Sequence, residues 1–412
     1  MNIFWKTWQE KVKLLVDMKD GTYAERVVTA PLGVGDLTTD AWGVQKVSTP
    51  RSILHGLWTF DIPLNMWFMF ENGVQVYTSV LIASVGGAGT LTTSAAKTTV
   101  LLESRECPRY QPNRGHLFST ALFTPGKTKN GVREWGLQTI ENGVFFRLKA
   151  DGILYAVRKS GGVEKQENPV DISGIPDFDV EKGHIYDIQF QWRGLGNYKF
   201  FVDNVLVYTM SLLGTLTELS MENPALPASF KCVRLGADDV GMSIGCVDIT
   251  SENGQTDTEQ YVSAYTENIV STTDTPIIAI LNPLQIGGKT NTRTVTLARI
   301  SFTCSKKAVL KVWSTRNPAA LIGATFAELG GGSHLQTDSP LSAVGAVKAT
   351  SVNTALMRLV TSVPVEVAVT RLVDNPYRDR IEFPLVRGDY LVVTSTSASG
   401  ANDVVIELGE QI

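Results

Sequence analysis

Few residue groups in this chain have the type and spacing that chemistry requires. Four histidines, His55, His116, His184 and His334, stand apart, none with a second His or Cys at metal-ligand spacing. The zinc-protease HExxH and the phosphate-binding Walker A patterns are absent. Glycan hydrolysis needs two carboxyls about 5 to 9 Å apart, commonly two residues apart on one strand face. The strand signature Glu-x-Asp-x-x-Glu does not occur. Asp177 and Asp179 have a fitting spacing but sit in the Pro- and Gly-bearing loop IPDFDVEKG, and Asp238-Asp239 precede Val240-Gly241 as turn residues do. The expectation is a protein with no catalytic residues, no metal and no cofactor.

The cysteines Cys107, Cys232, Cys246 and Cys304 lack CxxC spacing and read as free thiols. Cys232 and Cys246 lie on neighbouring strand-like runs, FKCVRL and SIGCVDI, so a bond between them stays open at this stage. The richest polar pattern is CPRYQPNRGHLFSTALF (107–123), with Arg109, Tyr110, Asn113 and Arg114 in a Pro-rich turn. Its counterpart is FQWRGLGNYKFFVD (190–203), with Trp192, Arg193, Asn197 and Tyr198. Arginines among aromatic rings suit either a glycan-binding face or an internal network that ties loops to a core. The aromatics lie inside strand-like runs, which favours the internal network. Arg387-Gly388-Asp389 directly precedes YLVVTST and reads as the tight turn into a strand.

The elements that position these residues are almost all strands. Charged residues make up 19% of the 412 residues, below the usual quarter, as suits a β-rich chain that hides much surface in contacts. The formal net charge of -4 supplies no basic excess for phosphates, so nucleic acid is not an expected partner. No window reaches the roughly twenty apolar residues of a membrane span, and the first residues, MNIFWKTWQEKVKLLVDMKDG, do not read as a signal peptide.

Phe4, Trp5, Trp8, Val12, Leu15 and Val16 recur at helical spacing, with Asp20-Gly21 as the stop. This predicts an amphipathic helix, docked either on its own body or on another subunit. Residues 21–60 are too apolar for a linker and too irregular for a domain, with Trp42 among them, and suit an extended arm. Phe4, Trp5, Trp8, Val12, Leu15 and Trp42 are thus the expected partner-binding residues of an anchoring arm, 1–60.

Alternating aromatic and β-branched runs then predict an antiparallel sandwich over 61–252, with Glu141-Asn142-Gly143 and Asp151-Gly152 as hairpin turns and one short helix in LLGTLTELSMENPAL. The polar stretch TSENGQTDTEQ (250–260) marks a boundary. About eight further strands over 258–412, joined by long loops such as ELGGGSHLQTDSPLSAVG, suggest a jelly roll.

Several blocks carry a resemblance: DGTYAERVV (20–28), AWGVQKVSTPRSILHGLWTFDIP (41–63), the CPRYQPNRG block, WGLQTIENGVFFRL, QWRGLGNY and the C-terminal FPLVRGDYLVV run. With these the chain resembles tailed-bacteriophage virion structural proteins such as head-decoration, fibre or tail components. The run GHIYDIQFQWRGLGNYKFFVDNVLVYT is similar to concanavalin-like sandwiches, which often bind glycans. The resemblance implies a non-enzymatic virion protein on capsid or tail, anchored by its arm. Its expected partners are copies of itself (a homotrimer preferred over a dimer) and capsid, portal or tail neighbours. Assembly is expected in the host bacterial cytoplasm. The alternative it implies is a receptor- or glycan-binding tail protein, with a glycan-degrading spike less favoured.

Overall fold

The computed structural model describes residues 12–17, 23–28, 51–64, 66–111, 114–126, 130–212, 214–251, 259–271, 274–330, 333–340, 342–365, 371–374, 384–397 and 400–411. Among them the chain is β structure, with two single-turn 3-10 helices at Pro318–Ala320 and Thr354–Leu356. No helix among the described residues is long and apolar enough to cross a membrane.

The first unit is the antiparallel sandwich expected from the strand pattern. One eight-stranded sheet runs, edge to edge, Val163–Pro169, Leu154–Ser160, Gly143–Leu148, Gly131–Gln138, Ala228–Arg234, Thr99–Ser104, Trp67–Glu71 and Val74–Val76. The facing sheet runs Val205–Ser211, Asn197–Val202, His184–Phe190, His116–Phe123, Gly241–Ser251, Ala88–Thr92 and Ile82–Val85, with Arg51–Leu57 also paired to Gly241–Ser251. Period-2 alternation decides which side chains enter the core. In HLFSTALF the buried set is His116, Phe118, Thr120 and Leu122. In GVFFRL, Phe146 packs inward against Trp135 and Tyr186 while Phe145 and Arg147 occupy the other face. The two indoles Trp58 and Trp67 meet at 5.3 Å in the same core.

The second unit is a jelly-roll-like double sheet. Its larger sheet runs Ala327–Gly330, Ser333–Thr337, Thr275–Leu281, Tyr390–Ser397, Ala308–Thr315 and Arg358–Val365. Early and late strands therefore alternate across the sheet, as chain wrapped in two Greek keys requires. The smaller sheet runs Glu259–Ser271, Gly400–Gln411, Val295–Cys304 and Arg371–Asp374, with Pro384–Leu385 also on Val295–Cys304. Ile278, Ile280, Leu310, Val393, Ile406 and Leu408 fill the space between the two sheets.

The structure departs from the sequence expectations at four places. Residues Val12–Asp17 form a strand paired antiparallel with Tyr23–Val28, where a helix was expected. β-branched valines on both sides of Asp20-Gly21 favour a hairpin over continued helix. Val12 and Leu15 lie on that first strand; Phe4, Trp5, Trp8 and Trp42 lie outside the described residues. Arg51–Leu57, expected within the arm, pairs with the sandwich, and Trp58 is wholly buried in its core. Among the described residues of 212–226 no helix forms: Leu212, Met221 and Leu226 insert into the core at irregular intervals, and the carbonyls of Ser220 and Met221 accept bonds from Arg158 and Trp192. Finally, the Gly-rich stretch read as a loop holds the paired strands Ala327–Gly330 and Ser333–Thr337.

Candidate functional site

The two arginine- and aromatic-rich blocks do meet, at one end of the sandwich. The Tyr110 hydroxyl accepts from the Arg193 backbone N–H at 3.0 Å, and its ring stands edge-on to Trp192 at 5.6 Å and Phe190 at 5.7 Å. Trp192 Nε1 donates to the Met221 carbonyl at 3.1 Å. Tyr198 stacks on Phe190 with centroids 5.4 Å apart, and its hydroxyl bonds Ser220 Oγ at 3.0 Å. Tyr110, Asn197 and Tyr198 are buried, so their surfaces are spent on neighbours. Arg109 and Arg114 are half-buried and Arg193 is exposed, each with bonding partners of its own. Asn113 lies outside the described residues. His116 belongs to this end too, 5.8 Å from the Tyr110 ring, and burial pushes its imidazole down to about 4.

Carboxylates on the outer face of the eight-stranded sheet are held by cations. Arg147 reaches Glu134 (2.8 Å), Glu164 (2.8 Å) and Glu167 (2.9 Å), Lys231 adds a second contact to Glu134, and Lys149 pairs with Glu167. Strand register places them together, since Glu134 opposes Arg147 on one side and Lys231 on the other. The loop acids are structural as well. Asp179 Oδ1 accepts from the Glu181 N–H and Asp239 pairs with Arg234 at 2.8 Å. Cys232 is buried inside the sandwich while Cys246 is exposed on the opposite sheet, and both are free thiols. The strands FKCVRL and SIGCVDI belong to different sheets, which removes the pairing that a disulfide needed. Among the described residues no cluster of three or more metal-ligating side chains exists.

The most concentrated arrangement lies where the two units touch. The Arg387-Gly388-Asp389 turn leads into Tyr390–Ser397 and at the same time enters the sandwich. Arg387 bonds the Glu103 carboxylate and, at 3.1 Å, the Ser104 carbonyl. Asp389 Oδ1 accepts from Arg105 Nη2 at 2.6 Å and from Arg316 Nε at 3.0 Å. The Leu64 carbonyl accepts from Arg105 Nη1 at 3.1 Å and from Arg316 Nη1. Phe68 lies under two guanidiniums, with Arg105 at 4.2 Å and Arg387 at 5.2 Å from its centroid. Burial pushes the Glu103 and Asp389 carboxyls up while the arginines oppose that rise. Burial likewise pushes the Arg105 guanidinium down to about 9, with Asp389 opposing and Arg316 and Arg387 adding to the shift. A second clasp lies at the hairpin 285–290, where Thr290 bonds Glu141 at 2.8 Å and Lys289 pairs with Glu222 at 2.6 Å.

Beside this ionic junction opens a cleft of about 410 Å³. The sandwich contributes Leu64 and Tyr77; the second unit contributes Arg316, Asn317, Met357 and Arg358. The Tyr77 hydroxyl donates to the Arg316 carbonyl at 3.2 Å, and its side chain is 43% exposed. Arg316 Nη2 and Asn317 Nδ2 make no hydrogen bond with the described residues. Asp389 is the one carboxylate lining the cleft among the described residues, and it is taken by two arginines. Chemically the cleft offers an aromatic surface, two planar donors and some apolar wall. Such a set recognises a polar ligand with flat hydrocarbon faces.

No protein-family model matches the sequence, and no curated protein matches it. Among solved structures, the chain is similar to an endo-1,3-beta-glucanase from Streptomyces sioyaensis, at 13% identity and a TM-score of 0.38 over 50% of this chain and 97% of that one. An endo-beta-1,3-glucanase from Pyrococcus furiosus aligns at 13% identity and TM-score 0.38 over 50% and 95%. The catalytic domain of a laminarinase from Thermotoga petrophila aligns at 16% identity and TM-score 0.36 over 50% and 100%.

Sequence reasoning missed the cleft because its walls are assembled from segments around residues 64, 77, 316 and 357 that share no local pattern. The one available signal was the Arg-Gly-Asp turn, whose two charges flank a strand start and would be costly to bury without partners.

Proposed function

We propose that the protein binds glycan in the cleft between its two β units and does not cleave it. The observation that carries this reading is the cleft itself, lined by an exposed Tyr77 ring together with donors of Arg316 and Asn317 that make no hydrogen bond with the described residues. Sugar rings present apolar faces and equatorial hydroxyls, which an aromatic ring and planar polar groups match. A hydrolytic pair would need a second carboxyl at the cleft, and Asp389 is held by Arg105 and Arg316. Glu106, which burial pushes up to about 7, does not line it. Glycan binding measured by calorimetry should weaken severalfold in Tyr77→Ala, reflecting about 0.5–1.5 kcal/mol of ring contact. Unchanged binding in that variant would place the glycan elsewhere, and release of reducing ends would show an enzyme.

A virion assembly role is a second reading, favoured by a different observation. The hairpin of Val12–Asp17 and Tyr23–Val28 pairs with no further strand among the described residues, and a lone two-stranded hairpin is marginal in water. At the sandwich edge Phe60 and Val80 are 94% and 95% exposed. These features suit a phage-particle component that docks its first fifty residues on a neighbour, as a homotrimer or on capsid, portal or tail. Deleting residues 1–50 should leave folded protein that no longer joins particles; full incorporation of the truncation would defeat this reading.

A further inference from the structure

Among the described residues the direct charge contacts at the inter-unit junction do not balance. Three guanidiniums, Arg105, Arg316 and Arg387, contact two carboxylates, Glu103 and Asp389, with Glu141 acting on Arg387 from farther away. Arg387 is matched by Glu103, but Arg105 and Arg316 share a single Asp389 oxygen, Oδ1. Carbonyl dipoles of Leu64, Ser104 and Arg387 soften the excess without neutralising it. In a partly buried setting an unmatched cation attracts an anion far more strongly than it does in water. Of the three arginines, Arg316 is the one that lines the cleft; its side chain is 25% exposed, against 2% and 6% for Arg105 and Arg387. Its Nη2 makes no hydrogen bond with the described residues, and the neighbouring Asn317 spends its Oδ1 on the Ala319 N–H while its Nδ2 bonds none of the described residues. Two planar donors from adjacent residues therefore line the cleft, with the exposed Tyr77 ring in the same lining.

We infer that the cleft selects an acidic sugar, with the carboxylate of a hexuronate-type residue on Arg316 and Asn317 and the sugar ring against Tyr77. The inference rests on the glycan-binding reading and adds the class of glycan to it. A carboxylate fits the flat fork of a guanidinium better than a hydroxyl does, and it supplies the missing negative charge. The volume, about 410 Å³, sits at the low end of small-ligand sites and suits one or two sugar rings better than an extended chain segment.

The test is titration calorimetry on the full-length protein with a panel of hexuronate oligosaccharides and the same oligosaccharides after reduction of their carboxyls to alcohols. The acidic form should bind at least about tenfold more tightly, as charged hydrogen bonds imply, and should lose that advantage as salt is raised. Arg316→Gln should erase the preference and Arg316→Lys should keep part of it, with thermal melts confirming that each variant is folded. Tyr77→Ala, which leaves the junction charges in place, should weaken both forms alike. Equal affinity of wild-type protein for acidic and reduced forms overturns the acidic-sugar inference and leaves glycan binding standing. Failure of both forms to bind overturns the two together. An oligoglutamate peptide that binds as tightly as the uronates, and is indifferent to Tyr77→Ala, would replace the sugar with an acidic protein segment.

Discussion

His116 shows how a single residue can be misjudged in one dimension. In the sequence it stands alone beside a Pro-rich turn; in the fold it is buried among Tyr110 and Phe190, with Nε2 unbonded. Its imidazole is pushed from the ordinary 6.5 down to about 4 because burial penalises the charged ring. Between those two values the unfolded chain takes up a proton that the folded chain refuses. This contribution to stability is therefore complete above pH 6.5 and falls as pH drops toward 4, by up to about 1.4 kcal/mol per pH unit. In urea titrations, the stability difference between wild type and His116→Phe should shift in favour of the variant by about 1–2 kcal/mol from pH 7 to pH 5. A difference that does not move with pH would mean that the folded ring takes up its proton as readily as the unfolded one. The same burial logic governs the tyrosines: Tyr110 and Tyr198 bind their hydroxyls to Arg193 and Ser220, which orders the loops around them.

At the scale of elements, the turn Arg387-Gly388-Asp389 serves two structures at once. Gly388 has φ +78, and a Cβ built on it would lie 2.9 Å from Leu284 Cδ2. Replacing it with alanine strains the backbone by about 1–3 kcal/mol and also crowds the contact with Leu284. Gly287 supplies the control, since its φ of +57 carries the strain but nothing lies within 4 Å. Gly388→Ala should lower the melting temperature more than Gly287→Ala does; equal effects would show that Leu284 yields freely. Hairpins such as Gly131–Gln138 with Gly143–Leu148 were legible because alternation and a Glu-Asn-Gly turn agree. The strand at Val12–Asp17, where a helix was expected, was not, because apolar residues at mixed spacings satisfy either period until a pairing partner is known. For Val12–Asp17 that partner is Tyr23–Val28.

For the molecule as a whole, the buried ion pairs couple the sandwich to the jelly-roll-like unit. Arg387→Ala leaves the buried Glu103 carboxyl without its cation, which costs roughly 3–5 kcal/mol. The wild type should melt in one calorimetric transition and Arg387→Ala in two, while Arg387→Met combined with Glu103→Met should restore much of the coupling. A single unshifted transition in Arg387→Ala would show that the units unfold independently of this contact. The amino-acid sequence alone determined the class of structure: low charge, period-2 alternation and turn residues leave few alternatives to paired antiparallel sheets. It also determined that Glu-x-Asp-x-x-Glu and HExxH are missing, since such patterns are local. Only the tertiary structure decided that Arg105, Arg316, Arg387 and Asp389 share one junction, and that a cleft opens beside them. Contacts between residues nearly three hundred positions apart leave no local periodicity, and their energy comes from burial of charge that exists only once the two units have met.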